Sequence, residues 1–257
     1  MATALITGAS AGLGKDFADI FAKEGYDLVL VARSKDKLDA IAKELEKKYS
    51  KKVTVIAKDL SKPSAAKELW KLINDQKLEI NCLVNNAGFG SNGPFLESTF
   101  EKESEMIQLN VNFLAELTYL VAGKMKERKS GEILNVASTA AFQPGPFMSN
   151  YYATKAYVLS FSEGIAEELS SFGITVSVLC PGPTYTDFFT NADMKDSNLA
   201  KNSFLIMKSY PVARMGFDAL KAKKTVKIAG FFNFLLAQST RFSPRFLIRK
   251  IAKMLNQ

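Results

Sequence analysis

The chain has 257 residues, 47% of them apolar and 23% charged, which excludes a disordered or fibrous protein. It contains no histidine, so Ser-His-Asp and Cys-His catalytic units and His-ligated metal sites are ruled out. The two cysteines, Cys82 and Cys180, are too few for a disulfide framework or a Cys-rich zinc site; they read as buried free thiols, and no metal is expected. The net charge of +8 is uneven: residues 198–257 carry 12 Lys/Arg and a single acid, Asp218. Such a basic end suggests an acidic partner or surface.

In chain order, strands are predicted at TALIT (3–7), DLVLVA (27–32), KVTVIA (52–57), NCLVN (81–85), EILNVA (132–137), ITVSVLC (174–180) and TVKIAG (225–230). Helical spacing falls between the first of them. Phe17, Ile20 and Phe21 mark one helix; Leu38, Ile41, Ala42 and Leu45 a second; Ala66, Leu69, Trp70 and Ile73 a third. This alternation implies βαβ units. The expected fold is a single α/β domain: a doubly wound, Rossmann-like parallel sheet with helices on both faces. Strands that are nearly all apolar suit a sheet covered on both sides. The N-terminal MATALITGAS lacks a charged region followed by an apolar run, so no secretory signal is expected. No run approaches the about 18 apolar residues of a spanning helix, so a cytoplasmic location is expected, with or without membrane association.

The first strand leads into TGASAGLG, with Gly8, Gly12 and Gly14, and then into a helix near Leu13. Glycines there allow a tight turn and bring backbone N–H groups close to a pyrophosphate. Read alone, the motif fits an ordinary turn as well. The second strand ends at Arg33, where folds that bind NAD usually carry an acid for the ribose 2′-hydroxyl. A guanidinium can pair with a 2′-phosphate, so NADP is favoured over NAD; the alternative is that Arg33 is a solvated loop residue. Ser34 and Lys37 are secondary candidates.

Further motifs follow: Asp59-Leu60, NNAG (85–88), Asn110 in QLNVN, Ser138, Tyr151 and Lys155 in YYATK, and PGPTYT (181–186). With TGASAGLG, and in this order and spacing, they resemble the short-chain dehydrogenase/reductase family in its single-domain branch. The matching motifs run from Thr7 to Thr186. The resemblance implies a pyrophosphate site at Gly8, Ser10, Gly12, Leu13 and Gly14. It implies adenine contacts at Asp59 and Leu60, and a ribose region at Asn86, Ala87 and Gly88. Pro181, Gly182, Thr184 and Thr186 would flank the nicotinamide. Asn110, Ser138, Tyr151 and Lys155 match the family's catalytic tetrad, with Tyr151 and Lys155 also contacting the cofactor. NADP enzymes of the family often carry a basic residue before the second glycine; here it is Ala11, so the NADP reading rests on Arg33.

Tyr151 and Lys155 are four apart on a predicted helix and share one face. A free phenol titrates near about 10, and a nearby ammonium is expected to lower that value and make Tyr151 a proton shuttle. Ser138 would orient a carbonyl oxygen. Tyr152 competes with Tyr151, and Thr139 with Ser138, but the offset between the two positions favours Ser138 and Tyr151. The implied reaction is NADPH-dependent interconversion of a carbonyl and a secondary alcohol. The competing class is a non-catalytic NADPH-binding sensor or a membrane-recruited scaffold.

Aromatic residues flank the implied site. Phe142, Phe147, Phe188 and Phe189, with Ser138, are candidate substrate contacts for a small hydrophobic or acyl-type carbonyl or alcohol. Phe89, Met148 and Phe204 lie in the same segments. From about residue 230 to 257 the chain becomes a basic amphipathic extension, with Phe246, Leu247, Ile251 and Leu255 roughly on one helical face. Arg245, Arg249, Lys250 and Lys253 have no balancing acid there. Three partners fit: a sister subunit of a homodimer or homotetramer, an anionic membrane surface, or an acidic acyl carrier or CoA. Nucleic acid is not expected.

Overall fold

Strands that are nearly all apolar need cover on both faces, and that need sets the architecture. The computed structural model describes residues 2–186, 188, 192, 198 and 206–257. Its strands are β1 (Thr3–Thr7), β2 (Asp27–Ala32), β3 (Val53–Ala57), β4 (Cys82–Asn85), β5 (Gly131–Val136), β6 (Ile174–Cys180), β7 (Thr184–Tyr185), β8 (Met207–Lys208) and β9 (Val226–Ile228). Seven form one sheet in the order β3-β2-β1-β4-β5-β6-β9, while β7 and β8 pair separately. All the pairings are parallel. Each predicted strand coincides with one of the seven, with ends shifted by at most two residues.

The helices are α1 (Gly12–Lys23), α2 (Lys35–Tyr49), α3 (Ala65–Asp75), α4 (Phe100–Ile107), α5 (Leu114–Arg128), α6 (Ser149–Ser170), α7 (Ser209–Lys221), α8 (Phe231–Ser239) and α9 (Arg245–Asn256). Alternate residues of each strand feed opposite cores. Ala4, Ile6, Leu28 and Leu30 pack with Phe17 and Phe21 of α1, Leu38 of α2 and Phe217 of α7. Leu5, Val29, Val31 and Leu83 pack on the other side with Leu69 of α3 and Leu117 of α5. The Phe21 and Phe217 rings meet edge to face at 4.9 Å and join α1 to α7. Both cysteines are free and buried, as expected.

Strand order reverses direction about β1, whose neighbours are β2 and β4. In an open parallel sheet a crevice forms beyond the strand ends at that point. One polar thread crosses the adjoining core. Asn85 and Asn135 are opposite each other in β4 and β5, and the Asn85 Nδ2 donates to Asn135 Oδ1 and to Thr118 Oγ1, both at 2.9 Å. Asn135 Nδ2 donates to Ser162 Oγ at 2.9 Å, and that hydroxyl donates to Val158 O. The thread couples β4 and β5 to α5 and α6. Asn135→Ala would leave a buried Asn85 N–H donor without its acceptor and the Ser162 hydroxyl without its donor, and should destabilise the fold by about 2–3 kcal/mol. A urea titration should show a lower midpoint at unchanged slope.

Candidate active site

The crevice is a cleft of about 810 Å³ beyond the C-terminal ends of the strands. At one end lies the glycine turn between β1 and α1. Gly8 has φ +67°, and a Cβ there would come within 2.9 Å of the Ala87 Cα. Gly12 also has positive φ, and its missing Cβ would lie 2.9 Å from Thr186 Cγ2. The turn is tied to the NNAG segment. Asn86 Nδ2 donates to Thr7 O at 2.9 Å and to Gly8 O at 3.2 Å. Thr7 Oγ1 accepts from the backbone N–H groups of Asn86 and Ala87, both at 3.0 Å. Gly8, Ser10, Gly12 and Leu13 line the cleft, but Gly14 does not. A Cβ on Gly14 would sit 2.1 Å from Gly8 O, so this glycine serves the packing of α1 under its own turn. Ala11 gives α1 no side-chain cap, and the uncapped helix start, Ala11 to Leu13, lines the cleft. A backbone cradle that a Cβ would fill, at an uncapped helix start, fits a pyrophosphate.

At the end of β2, Arg33 and Ser34 line the cleft, exposed; Lys37 is not among its lining residues. Asp59 and Leu60 lie across from them after β3. Burial raises the Asp59 carboxyl, but hydrogen bonds from Ser61 N–H and Oγ outweigh it and, with the charges of Lys62 and Arg33, hold it below its usual range. Lys58 also lines this end, and its ammonium is held 2.5 Å from Glu68 Oε2. Lys58 was not anticipated; its only signal is that it precedes Asp59. Asn86, Ala87, Gly88, Pro181, Gly182, Thr184 and Thr186 line the middle of the cleft. Gly182 is packed so closely on Asn233 of α8 that a Cβ would approach its Nδ2 to 2.3 Å.

At the other end, Ser138, Tyr151 and Lys155 meet. Ser138 follows β5, and its Oγ accepts from Ala140 N at 3.1 Å and hydrogen-bonds the Tyr151 phenol. Tyr151 and Lys155 lie one turn apart on α6, with Lys155 Nζ 5.8 Å from the Tyr151 ring centre. Lys155 Nζ donates to Val136 O at 2.9 Å. Asn110 sits in a π-helical turn, Gln108–Phe113, between α4 and α5. It is buried behind Gly88 and does not line the cleft. Its side chain holds the Phe89 backbone from both sides, donating to O at 2.9 Å and accepting from N at 3.2 Å. A Cβ on Gly88 would crowd Asn110 Oδ1 at 2.9 Å and touch Lys155 Nζ at 3.5 Å, so glycine lets these two side chains meet behind the segment.

Electrostatics depart from the sequence reading in one respect. Burial pushes the Tyr151 phenol above its ordinary range, although the Ser138 hydrogen bond pulls the other way. Burial also weakens the Lys155 ammonium and draws its pKa down to about 8. Near neutral pH this leaves Tyr151 as an O–H donor beside a buried cation. Tyr152 is the other tyrosine of the pair and is engaged elsewhere: its Oη donates to Asn256 Oδ1 at 3.2 Å.

The substrate candidates divide. Phe188 lines the cleft, and its ring lies 5.2 Å from that of Tyr151. Phe142 and Phe147 do not line it. Phe142, half-buried at the end of the short helical turn Thr139–Phe142, packs against the cluster that contains Leu114, Val158 and Ala237. Phe147 has φ +68°, which turns its ring to the Lys253 ammonium at 5.9 Å. Phe189, Phe204 and Asp187 lie outside the described residues. The apolar wall comes instead from Phe89, Met148, Leu247, Ile248, Ile251 and Leu255.

The last four of these belong to α9, which packs on its own chain. Ile248, Ala252 and Asn256 are its buried face, and Phe246 points outward rather than joining the apolar side as its spacing suggested. Asn256 ties down the end: Nδ2 donates to Pro146 O at 2.8 Å, and its backbone O accepts from Asn92 Nδ2 at 2.8 Å. The signal for this lid, Ile248 and Asn256 at i and i+8, was present in the sequence but is common to any amphipathic helix.

Comparison with known proteins follows the same lines. The profile of the short chain dehydrogenase family matches residues 2–197. A very-long-chain 3-oxoacyl-CoA reductase of Pyrenophora tritici-repentis (strain Pt-1C-BFP) is 36% identical over 179 residues, 67% of this chain and 52% of that protein. The chain spans about half the length of such curated relatives. The 7beta-hydroxysteroid dehydrogenase of Clostridium sardiniense is 28% identical over 253 residues, 97% of this chain and 94% of that one. Among solved structures, a short-chain dehydrogenase from Sphingobium yanoikuyae in complex with NADPH superposes with a TM-score of 0.84 at 32% identity, covering 94% of each chain.

Lys155 also carries a stability prediction. Its ordinary value of 10.5 falls to about 8 on burial. Between those values the unfolded chain holds a proton that the folded chain has lost, so stability rises with pH there; below about 8 the full burial penalty is present. Lys155→Met should therefore stabilise the fold by about 1–3 kcal/mol at pH 7, with the gain shrinking towards pH 10.5. Thermal unfolding of the two proteins across that pH range measures it.

Proposed function

The chain belongs to the short-chain dehydrogenase family, and on that footing we propose that it is an NADP(H)-dependent oxidoreductase interconverting a hydrophobic carbonyl compound and its secondary alcohol. The reading takes the chain as one oxidoreductase domain with the helical lid α8–α9 at its substrate end. The observation that carries it is the grouping of Ser138, a protonated Tyr151 and a buried Lys155 at the apolar end of a cleft whose other end is a glycine cradle.

When bound, the reduced nicotinamide supplies the hydride. Gly8, Gly12 and the start of α1 would hold its pyrophosphate, and Arg33 with Ser34 would pair with a 2′-phosphate. The other contacts proposed for it are Ser10, Leu13, Asp59, Leu60, Asn86, Ala87, Gly88, Pro181, Gly182, Thr184 and Thr186; Gly14 acts through packing. Ser138 and Tyr151 would both hydrogen-bond the substrate oxygen. Tyr151 would give that oxygen its proton as the alcohol forms, a role suited to a phenol held in its neutral form. The Lys155 cation, 5.8 Å from the Tyr151 ring centre, would then stabilise the phenolate left behind by Coulombic attraction. Asn110 is a positioning residue: it holds Phe89 and backs Gly88 against Lys155. Phe188, Phe89, Met148 and the α9 wall would surround an apolar substrate body.

The experiment is NADPH consumption against ketones and 3-oxoacyl thioesters of rising chain length. Turnover should grow with apolar length. Tyr151→Phe should lower kcat by about 100-fold or more while NADPH affinity is kept. Tight NADPH binding with no turnover on any carbonyl would instead make the protein a cofactor-binding sensor or scaffold. Cofactor choice has its own test. Arg33→Ala should reduce kcat/KM for NADPH by about 10- to 100-fold and leave NADH values nearly unchanged. Equal losses with both cofactors would remove the 2′-phosphate role.

A further inference from the structure

More than half of the large apolar side chains left exposed among the described residues fall between residues 231 and 254. On α8 they include Phe231, 70% exposed, with Phe232 and Leu235; on the connection to α9 stands Phe242, 88% exposed. On α9, Phe246 and Met254 face outward, two turns apart, with Lys250 between them. The cations alternate with these residues in sequence: Arg241 precedes Phe242, Arg245 precedes Phe246 and Lys253 precedes Met254. From residue 219 to the end there is no acid. Arg245, Arg249 and Lys250 have no acidic partner among the described residues.

We propose that the outer face of α8 and α9 docks on the surface of an anionic lipid bilayer. Exposed phenylalanines set beside cations match the two layers of such a surface, acyl chains below and phosphates above. A second copy of this chain on the same face would bring an acid-free basic surface against itself, and like charges would oppose it. An acidic carrier protein would answer the cations but would leave the α8 phenylalanines uncovered. The contact ends at α9, because the neighbouring loop that Asn92 anchors continues into Glu97 and Glu101. α9 would thus have two uses: its inner residues wall the cleft and its outer residues meet the lipid. Docking stands apart from the proposed reaction, since it is read without turnover.

The full chain is floated with vesicles of phosphatidylcholine alone and of equal parts phosphatidylcholine and phosphatidylglycerol. It should float with the anionic vesicles, weakly with the neutral ones, and less as salt is raised. Arg245→Glu/Arg249→Glu/Lys250→Glu should bind about 100-fold or more weakly. Phe231→Ser/Phe232→Ser/Phe246→Ser should also lose binding, with circular dichroism and NADPH binding unchanged in both. No flotation with either vesicle overturns the proposal, as does flotation that ignores lipid charge. A dimer in light scattering that the phenylalanine substitutions dissociate, without vesicle binding, would assign the face to a second copy and overturn it equally.

Discussion

At the ends of β1 and β4, Thr7 and Asn86 hold two loops in one place, and the whole cleft is organised around that clasp. The sheet brings the two strands together through Leu5 and Leu83. The Asn86 amide and the Thr7 hydroxyl then close the gap between a glycine turn and the NNAG segment. Without a Cβ, Gly8 can lie against Ala87 and Gly14 against Gly8 O. The glycines are therefore a packing requirement as much as an opening for a ligand. A shift in either loop would move the helix start that faces the crevice and the residues that follow β4.

A second constraint lies deeper. Among the described residues Lys155 is a buried cation without a carboxylate, and its donor bond goes to a backbone oxygen, Val136 O. Such burial is destabilising and lowers the ammonium's proton affinity. The same desolvation keeps the Tyr151 phenol protonated. One physical cause thus sets both groups in opposite directions and leaves them ready to act together. The π-helical turn around Asn110 belongs to this arrangement. It carries a buried amide that fastens the Phe89 backbone behind the cleft, where a regular helix would set the side chains after it at a different angle.

The C-terminal helices complete the cleft from outside the strand–helix alternation. Asn233 packs on Gly182, and Asn256 bonds to Tyr152, Pro146 and Asn92. Two asparagines, one in each helix, therefore fix the lid to three different parts of the body. Using Tyr152 as an anchor also separates it chemically from its neighbour, Tyr151.

Much of this was legible in the chain itself. Apolar runs such as TALIT and DLVLVA, alternating with helical spacing, pointed to strands covered on both faces and so to the doubly wound sheet. The glycine turn, Arg33 and the Ser138, Tyr151 and Lys155 set were identifiable because each depends on local spacing or on a motif in fixed order. What needed the tertiary structure depends on neighbours distant in sequence. Phe142 and Phe147 read as substrate contacts, yet one packs against a core cluster away from the cleft and the other is turned away by its backbone. The sign of the Tyr151 shift was misjudged because spacing reveals a nearby charge but not the burial that outweighs it. Amphipathic pattern identified α9 as a helix with an apolar side; only packing decided that Ile248 goes inward, that Phe246 stays outside, and that Asn256 closes the cleft. Local pattern determines which elements form, whereas the direction of a side chain and the polarity around it are set by contacts between residues far apart along the chain.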